Sequence, residues 1–238
     1  AKPIIDIAVA VSDFDEVIKL IPVLEESGFI YRQHNVADDM LFVCGNQNAD
    51  IRTHHIHVVK SGSKGWYDYI NFRNYLNAKP EVAKEYEALK LRLMSEHQTD
   101  RLAYTEGKAE FINHILRKAQ VWSFLGKTVT VTIDRQLGSV HPKHNDIIYP
   151  INYGYIDGVI APDGEELDVY IIGEERPLNE FTGRVIAIVH RENDVEDKLV
   201  AVPDGITLSA TEIKNAVSFQ EKYYDSRIEI FDPKIVHI

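Results

Sequence analysis

The 238-residue chain is 45% hydrophobic and 26% charged, with a formal net charge of −11. That balance supports one or two folded domains with cores of their own, and it argues against a nonspecific nucleic-acid or anionic-membrane binder. Cys44 is the single cysteine, so no intrachain disulfide can form and a cytoplasmic setting is expected. No stretch reaches the roughly 18 apolar residues of a spanning helix. The opening Ala1-Lys2-Pro3-Ile4-Ile5-Asp6-Ile7 lacks a signal-peptide pattern and reads as the inside of a domain.

Ile4 to Val11 is an apolar run broken only by Asp6, the pattern of a buried strand. A buried carboxylate needs a partner, and Arg52, Lys60 and Arg73 are the candidates. Ser12, with Asp15 three residues on, resembles a helix N-cap; Val17, Ile18, Leu20, Ile21 and Leu24 follow at helical spacing, and Gly28 suits the end. Met40–Cys44 and Thr53–Val59 read as strands. In the second, His55 and His57 share a face with Thr53, because strand side chains alternate. Two such imidazoles can bind Zn2+, but no third ligand is evident nearby, so a polar cleft face or satisfied buried imidazoles is the favoured reading. Trp66, Tyr69, Ile70, Phe72, Tyr75 and Leu76 mark an aromatic helix. Pro80 fits the first position of another, to about His97, and Thr105 can cap a third carrying Phe111, Ile112, Ile115 and Leu116. Strands followed by helices indicate an α+β domain.

The helical pattern stops between Ala119 and Leu125. From Gly126 to Ile133 apolar residues alternate strictly at odd numbers, a half-buried strand. Tyr149, Tyr153 and Tyr155 then cluster around Gly154, and Asp163, Glu165 and Asp168 follow. Asp163 and Glu165 share a face if the chain is extended there; Asp168 reaches the same point only if the Pro162-Asp163-Gly164 turn bends it. Crowded carboxylates repel unless a cation lies among them, and Mg2+ takes such oxygen ligands. A solvated acidic hairpin turn is the plain alternative. Val169–Ile172, Arg184–Val189, Leu199–Val202 and Arg227–Phe231 read as further strands. Ser209 and Glu212 form a capping box for a helix to about Tyr223.

Two families are resembled. Ala1–Ile7, Arg52-Thr53-His54-His55-Ile56-His57, Phe72-Arg73-Asn74-Tyr75-Leu76 and Tyr104-Thr105-Glu106-Gly107-Lys108 resemble the GrpB family of the nucleotidyltransferase-like superfamily. In that family a helical segment and a Gly-Ser turn precede the first strand. Neither is found in these residues, so a strand edge and apolar surface are expected to need cover from a partner chain or a preceding polypeptide. Active nucleotidyltransferases hold metal with an Asp-hydrophobic-Asp pair here; Ala8 takes the second place. The resemblance makes Asp6, His55, His57 and Arg73 an N-terminal candidate site.

Tyr149-Pro150-Ile151-Asn152-Tyr153-Gly154-Tyr155 with Asp163-Gly164-Glu165-Glu166-Leu167-Asp168-Val169 resembles the signature of the family I soluble inorganic pyrophosphatases. Glu165 replaces an Asp and Glu166 a Pro. The resemblance implies a Mg2+ site of Asp163, Glu165, Asp168, Asp194 and Asp197, with Glu196 a substitute if the loop shifts by one. It makes Tyr153, Asp168, Asp194, Lys198 and Tyr223 catalytic. The family's usual hairpin Lys and Arg have only Arg135, His141, Lys143 and His144 as replacements, and its late Tyr-Lys reads Tyr223-Tyr224.

The expected fold is α+β: a truncated nucleotidyltransferase-like sheet with helices over 1–120, then an OB-like β-barrel with one C-terminal helix over 121–238. The expected function is Mg2+-dependent hydrolysis of pyrophosphate or a related phosphoanhydride, by an inorganic diphosphatase-like hydrolase, the first half having a nucleotide or accessory role. The alternatives are a catalytically weak nucleotide-binding or regulatory protein, and a nucleotidyltransferase. Expected partners are pyrophosphate or a nucleotide-type small molecule, with no nucleic acid and no membrane; a homo-oligomer is compatible with the sequence.

Overall fold

The structure is a computed structural model that describes residues 4–33, 38–46, 51–142, 144–145 and 147–234. Ala1, Lys2 and Pro3 of the opening motif, and Lys143, lie outside the described residues. The chain divides into two compact units, 1–116 and 117–238.

In the first unit, β1 (Ile5–Val11), β2 (Ile30–Arg32), β3 (Asp39–Asn46) and β4 (Ile51–Lys60) form one sheet in the order β1-β4-β3-β2. β1 runs parallel to β4, while the β3 pairings are antiparallel. The apolar run over Ile4–Val11 is therefore an edge strand, and the expectation that it is buried is corrected. Ile5, Ile7 and Val9 are exposed: they alternate onto one face of β1, and the described residues leave that face uncovered. Asp6 is exposed too, and its partner is His55 rather than one of the three basic candidates.

Helix α1 (Phe14–Glu26) lays Val17 against Met40, Phe42 and Val58, with Ile21 and Leu24 beside them. Its cap is Asp13, whose carboxylate accepts from the Asp15 N–H, not Ser12. Gly28, at φ +89°, closes the helix: its N–H donates to Glu25 O and the Phe29 N–H to Leu24 O, a pairing that requires the left-handed conformation. Four helices follow: α2 (Lys64–Ala78), α3 (Pro80–Glu96, with Pro80 in the first turn), α4 (Arg101–Glu106) and α5 (Ala109–Trp122). Thr105 is not the cap of a helix. It lies inside α4, capped by Asp100, and donates its hydroxyl to Arg101 O. Phe72, Tyr86 and Phe111 tie α2, α3 and α5 together, the last two rings stacking at 5.4 Å.

In the second unit, β5 (Thr128–Arg135), β6 (Asn152–Ile160), β7 (Glu166–Ile171), β8 (Glu180–Arg191) and β9 (Lys198–Val202) pair in the order β8-β5-β6-β7-β9 and close through β8–β9. This is a five-stranded barrel; β10 (Ser226–Ile230) adds to β8 outside the ring. Closure leaves the ring without a free edge. The alternation seen in the sequence holds: Val129, Val131 and Ile133 are all buried. Each such side chain contributes about 1.5–3 kcal/mol through burial. Helix α6 (Ala210–Glu221) starts with the Ser209/Glu212 capping box and packs Ile213 and Val217 into the core with Tyr149, Tyr153 and Tyr170. Gly154 in the tyrosine motif answers to space. A Cβ there would lie 2.0 Å from Thr132 O on β5, so only glycine lets β6 approach so closely.

Candidate functional site

On the strand face that packs towards α6, β6, β7 and β9 deliver Tyr153, Asp168 and Lys198 to one point. The buried Lys198 ammonium donates to Tyr153 Oη (2.9 Å), to Asp168 Oδ2 and to Glu196 Oε2 (2.8 Å). The Tyr153 hydroxyl donates to Asp168. Antiparallel register places Tyr155 opposite Asp168 and Tyr153 opposite Tyr170, so the Tyr153–Asp168 contact is a diagonal one between residues on the same face.

Burial makes this cluster electrostatically tense. Glu196 is pushed up to about 7, first by burial, then by Asp168 and Asp163, against the pull of Lys198. Its Oε1 is buried and has no hydrogen-bond partner among the described residues. Burial and Asp168 raise the Tyr153 hydroxyl far above its ordinary value, so it stays a proton donor. Partial burial also raises Asp134, opposed by Arg135, and raises Tyr149, opposed by a hydrogen bond from Arg135. Asp134 feels Asp168 and Lys198 of the cluster, Arg135 acts on Asp134 and Tyr149 beside it, and the register of β5 shifts between Ile133 and Arg135. Such a bulge re-aims side chains that strict alternation would send to opposite faces.

The expected residues separate. Tyr153, Asp168 and Lys198 meet. Asp163 is exposed in the turn, near enough to raise Glu196, and its carboxylate accepts from the Glu165 N–H. The segment is a turn rather than extended chain, so Asp163 and Glu165 are not the same-face pair that alternation suggested; Glu165 itself is exposed. Asp197 faces elsewhere. It holds Lys118 (2.9 Å) and His190 (2.8 Å), which outweigh burial and lower its pKa. Asp194 accepts from Arg191 Nη1 (3.0 Å). Tyr223 is 58% exposed, with the Lys222 ammonium over its ring. Of the basic replacements, Arg135 reaches Tyr149, while His141 stacks on that ring and lies beside His144. Sequence reasoning gave Glu196 only second place. The available signal was its spacing of two from Lys198, which puts both on one face as the strand begins.

The oxygen donors Glu196 and Asp168, with Asp163 close by, suit a hard cation, and the orphaned buried Oε1 is what such an ion would satisfy. Among the described residues, however, these carboxylates do not form a three-ligand group. A pocket lined by Arg184, Pro203, Ile206, Leu208, Ile230 and Phe231 contains none of them.

The first unit holds a different cluster. The Asp6↔His55 register of the parallel β1–β4 pair brings Asp6 Oδ1 to 3.1 Å from His55 Nδ1. His57 Nδ1 lies 3.1 Å from Asp39 Oδ2 and 2.8 Å from the Tyr69 hydroxyl of α2. Burial lowers His55 despite Asp6, and burial with the Asp39 bond raises Tyr69 far above its usual value. Arg73, the fourth residue expected here, donates to Asn74 (2.8 and 3.0 Å). Neither Asp39 nor Tyr69 was singled out as a site residue from the sequence.

An α+β unit of one sheet with helices, followed by a closed barrel carrying a buried lysine among acidic groups, defines a two-unit protein. The family model described as GrpB protein matches residues 1–118, and that described as inorganic pyrophosphatase matches residues 108–232. The chain belongs to the GrpB family through its first half and to the inorganic pyrophosphatase family through its second. It is 36% identical over 121 residues to the glutamate-rich protein GrpB of Alkalihalophilus pseudofirmus, covering 50% of this chain and 70% of that one. It is 30% identical over 89 residues to the inorganic pyrophosphatase of Campylobacter jejuni, covering 33% of this chain and 50% of that one. Across three curated pyrophosphatases, the chain spans 46–61% of the relative's length. Among solved structures, the GrpB of Enterococcus faecalis shares 30% identity over 51% of this chain and 73% of that one, with a TM-score of 0.46. The inorganic pyrophosphatase of Ehrlichia chaffeensis shares 18% over 45% and 88%, with a TM-score of 0.36. Among the described residues, no helix is long and apolar enough to cross a membrane.

Proposed function

We propose that the barrel hydrolyses pyrophosphate, or a related phosphoanhydride, with Mg2+. The observation that carries this reading is the convergence of Lys198, Tyr153, Asp168 and Glu196 on one point, with Arg135 nearby. Asp168 holds both the ammonium and the hydroxyl in place. Lys198 and Arg135 supply positive charge to phosphate oxygens, and Tyr153 fixes the positions of Asp168 and Lys198; charges fixed in a buried site act most strongly where charge develops. Glu196 keeps one buried carboxylate oxygen without a partner among the described residues, an open ligand position for the ion. Water adds at phosphorus, the bridging P–O bond breaks, and two phosphates leave. Glu196, Asp168 and Asp163 would hold Mg2+. When bound, the ion lowers the pKa of water and neutralises phosphate charge.

Phosphate release from pyrophosphate is expected with Mg2+ and at background without it. Release should be lost in Asp168→Asn; an unchanged rate in that variant rejects the assignment. A second reading, a nucleotide-binding regulator with little turnover, is favoured by the pairing of Asp194 and Asp197 with other groups. Calorimetric binding of nucleotides without phosphate release would select it. The single Cys44 supports a reducing, cytoplasmic setting.

A further inference from the structure

The geometry points to a second metal site, in the first unit: Asp6, His55 and His57 form a three-ligand centre for a zinc-class divalent transition ion. One ligand atom from each lies within 4.8 Å of the others. Sequence spacing explains only two of the three. His55 and His57 alternate on β4, whereas Asp6 arrives through the parallel pairing of β1 with β4.

Three further observations support the assignment. First, His55 Nε2 is buried and has no hydrogen-bond partner among the described residues, a lone pair or proton left without use. Second, His57 is oriented from behind. Asp39, whose side chain is 7% exposed, meets its Nδ1, and Tyr69 donates to the same carboxylate (2.9 Å). A carboxylate on one imidazole nitrogen fixes the tautomer and leaves the other nitrogen to bind metal. Third, the span is right. Ligands held at about 2.1 Å by one tetrahedral ion lie about 3.4 Å apart. The set must contract by about 1.4 Å at most, and the Asp6 side chain, 68% exposed, is free to turn inward.

The donor set also selects the metal. Two imidazoles and one carboxylate suit Zn2+ or its neighbours; Mg2+ prefers oxygen alone. Three protein ligands leave a fourth position for water or for an anionic oxygen. This centre is distinct from the carboxylate cluster of the barrel and does not rest on the hydrolysis proposed there.

The test uses the full chain, with Zn2+ alone followed by calorimetry and with Co2+ as a visible-spectrum probe. The expected result is one Zn2+ site that excess Mg2+ does not displace, and Co2+ bands indicating nitrogen ligation. Asp39→Asn should weaken Zn2+ binding about 10–100-fold, the usual effect of losing an outer partner. His55→Ala/His57→Ala should remove the site. Asp6→Asn changes a mostly exposed side chain, so it tests the ligand without threatening the fold, and it should weaken binding at least about tenfold. Absence of a Zn2+ site, displacement by Mg2+, or undiminished binding in Asp6→Asn or in the double histidine variant would overturn the assignment.

Discussion

Arg191 ends β8 and Lys198 begins β9, both almost inaccessible, yet their surroundings differ. Arg191 is saturated. Its guanidinium donates to Glu221 (2.6 and 3.1 Å) and Asp194 (3.0 Å), and the Tyr224 ring lies 3.6 Å from it. Tyr170 donates to the same Glu221 (2.6 Å). Asp197 is likewise matched by Lys118 and His190, and His190 is raised because its two carboxylate bonds outweigh burial. Around Lys198 the balance fails. Asp168 and Glu196 share one ammonium, one carboxylate oxygen has no partner, and Glu196 is pushed towards neutrality. A complete buried network holds a fold together, whereas an incomplete one retains the capacity to bind a ligand or move a proton.

The largest effect expected concerns the saturated set. Glu221→Gln leaves Arg191 buried without its main counter-charge and should cost about 3–5 kcal/mol in urea unfolding. Phosphate release per folded molecule should stay close to wild type. A loss of turnover with unchanged stability would reverse the two roles. Asp168→Asn should do the opposite, lowering kcat about 100–1000-fold with little movement in the urea midpoint.

Glu196→Gln sharpens the contrast through pH. The folded protein holds this proton up to about pH 7, against a reference of 4.5. In metal-free protein the carboxyl therefore contributes stability fully below pH 4.5, and that contribution is lost as pH rises through about 7. The variant should flatten this limb of the stability profile. A proton on Glu196 competes with the ion, so wild-type Mg2+ affinity should rise as pH passes about 7 and the variant should lose that step. Retention of the step would remove Glu196 from the metal site. The smallest effect belongs to Tyr223→Phe, whose side chain is exposed: kcat should change less than about twofold, within the usual range of surface substitutions. A larger drop would return Tyr223 to the site.

Much of the fold was legible. Odd-numbered apolar residues identified β5, Ser209 with Glu212 identified the start of α6, and Pro80 that of α3. Errors arose where local pattern competes with assembly. An apolar run cannot say whether strands flank it on both sides, and β1 proved to be an edge. Ser12 and Asp13 are both good caps, and only the backbone path selected Asp13. In the site, consecutive carboxylates offered Asp197 and Glu196 equally to a reading by composition. The strand direction at Lys198 turned Glu196 inward beside it and left Asp197 to His190 and Lys118.

The sequence by itself determined the described helices other than α4, most strands, the family signatures and the shared face of His55 and His57. These follow from the fixed periods of the backbone and from contacts over a few residues. Only the tertiary structure decided that Asp6 stands beside His55, that Asp134 comes near Asp168 and Lys198, and that one carboxylate oxygen of Glu196 beside Lys198 lacks a partner. Those outcomes depend on the register between segments far apart in the chain, which is set by packing and by the closure of the barrel rather than by local spacing.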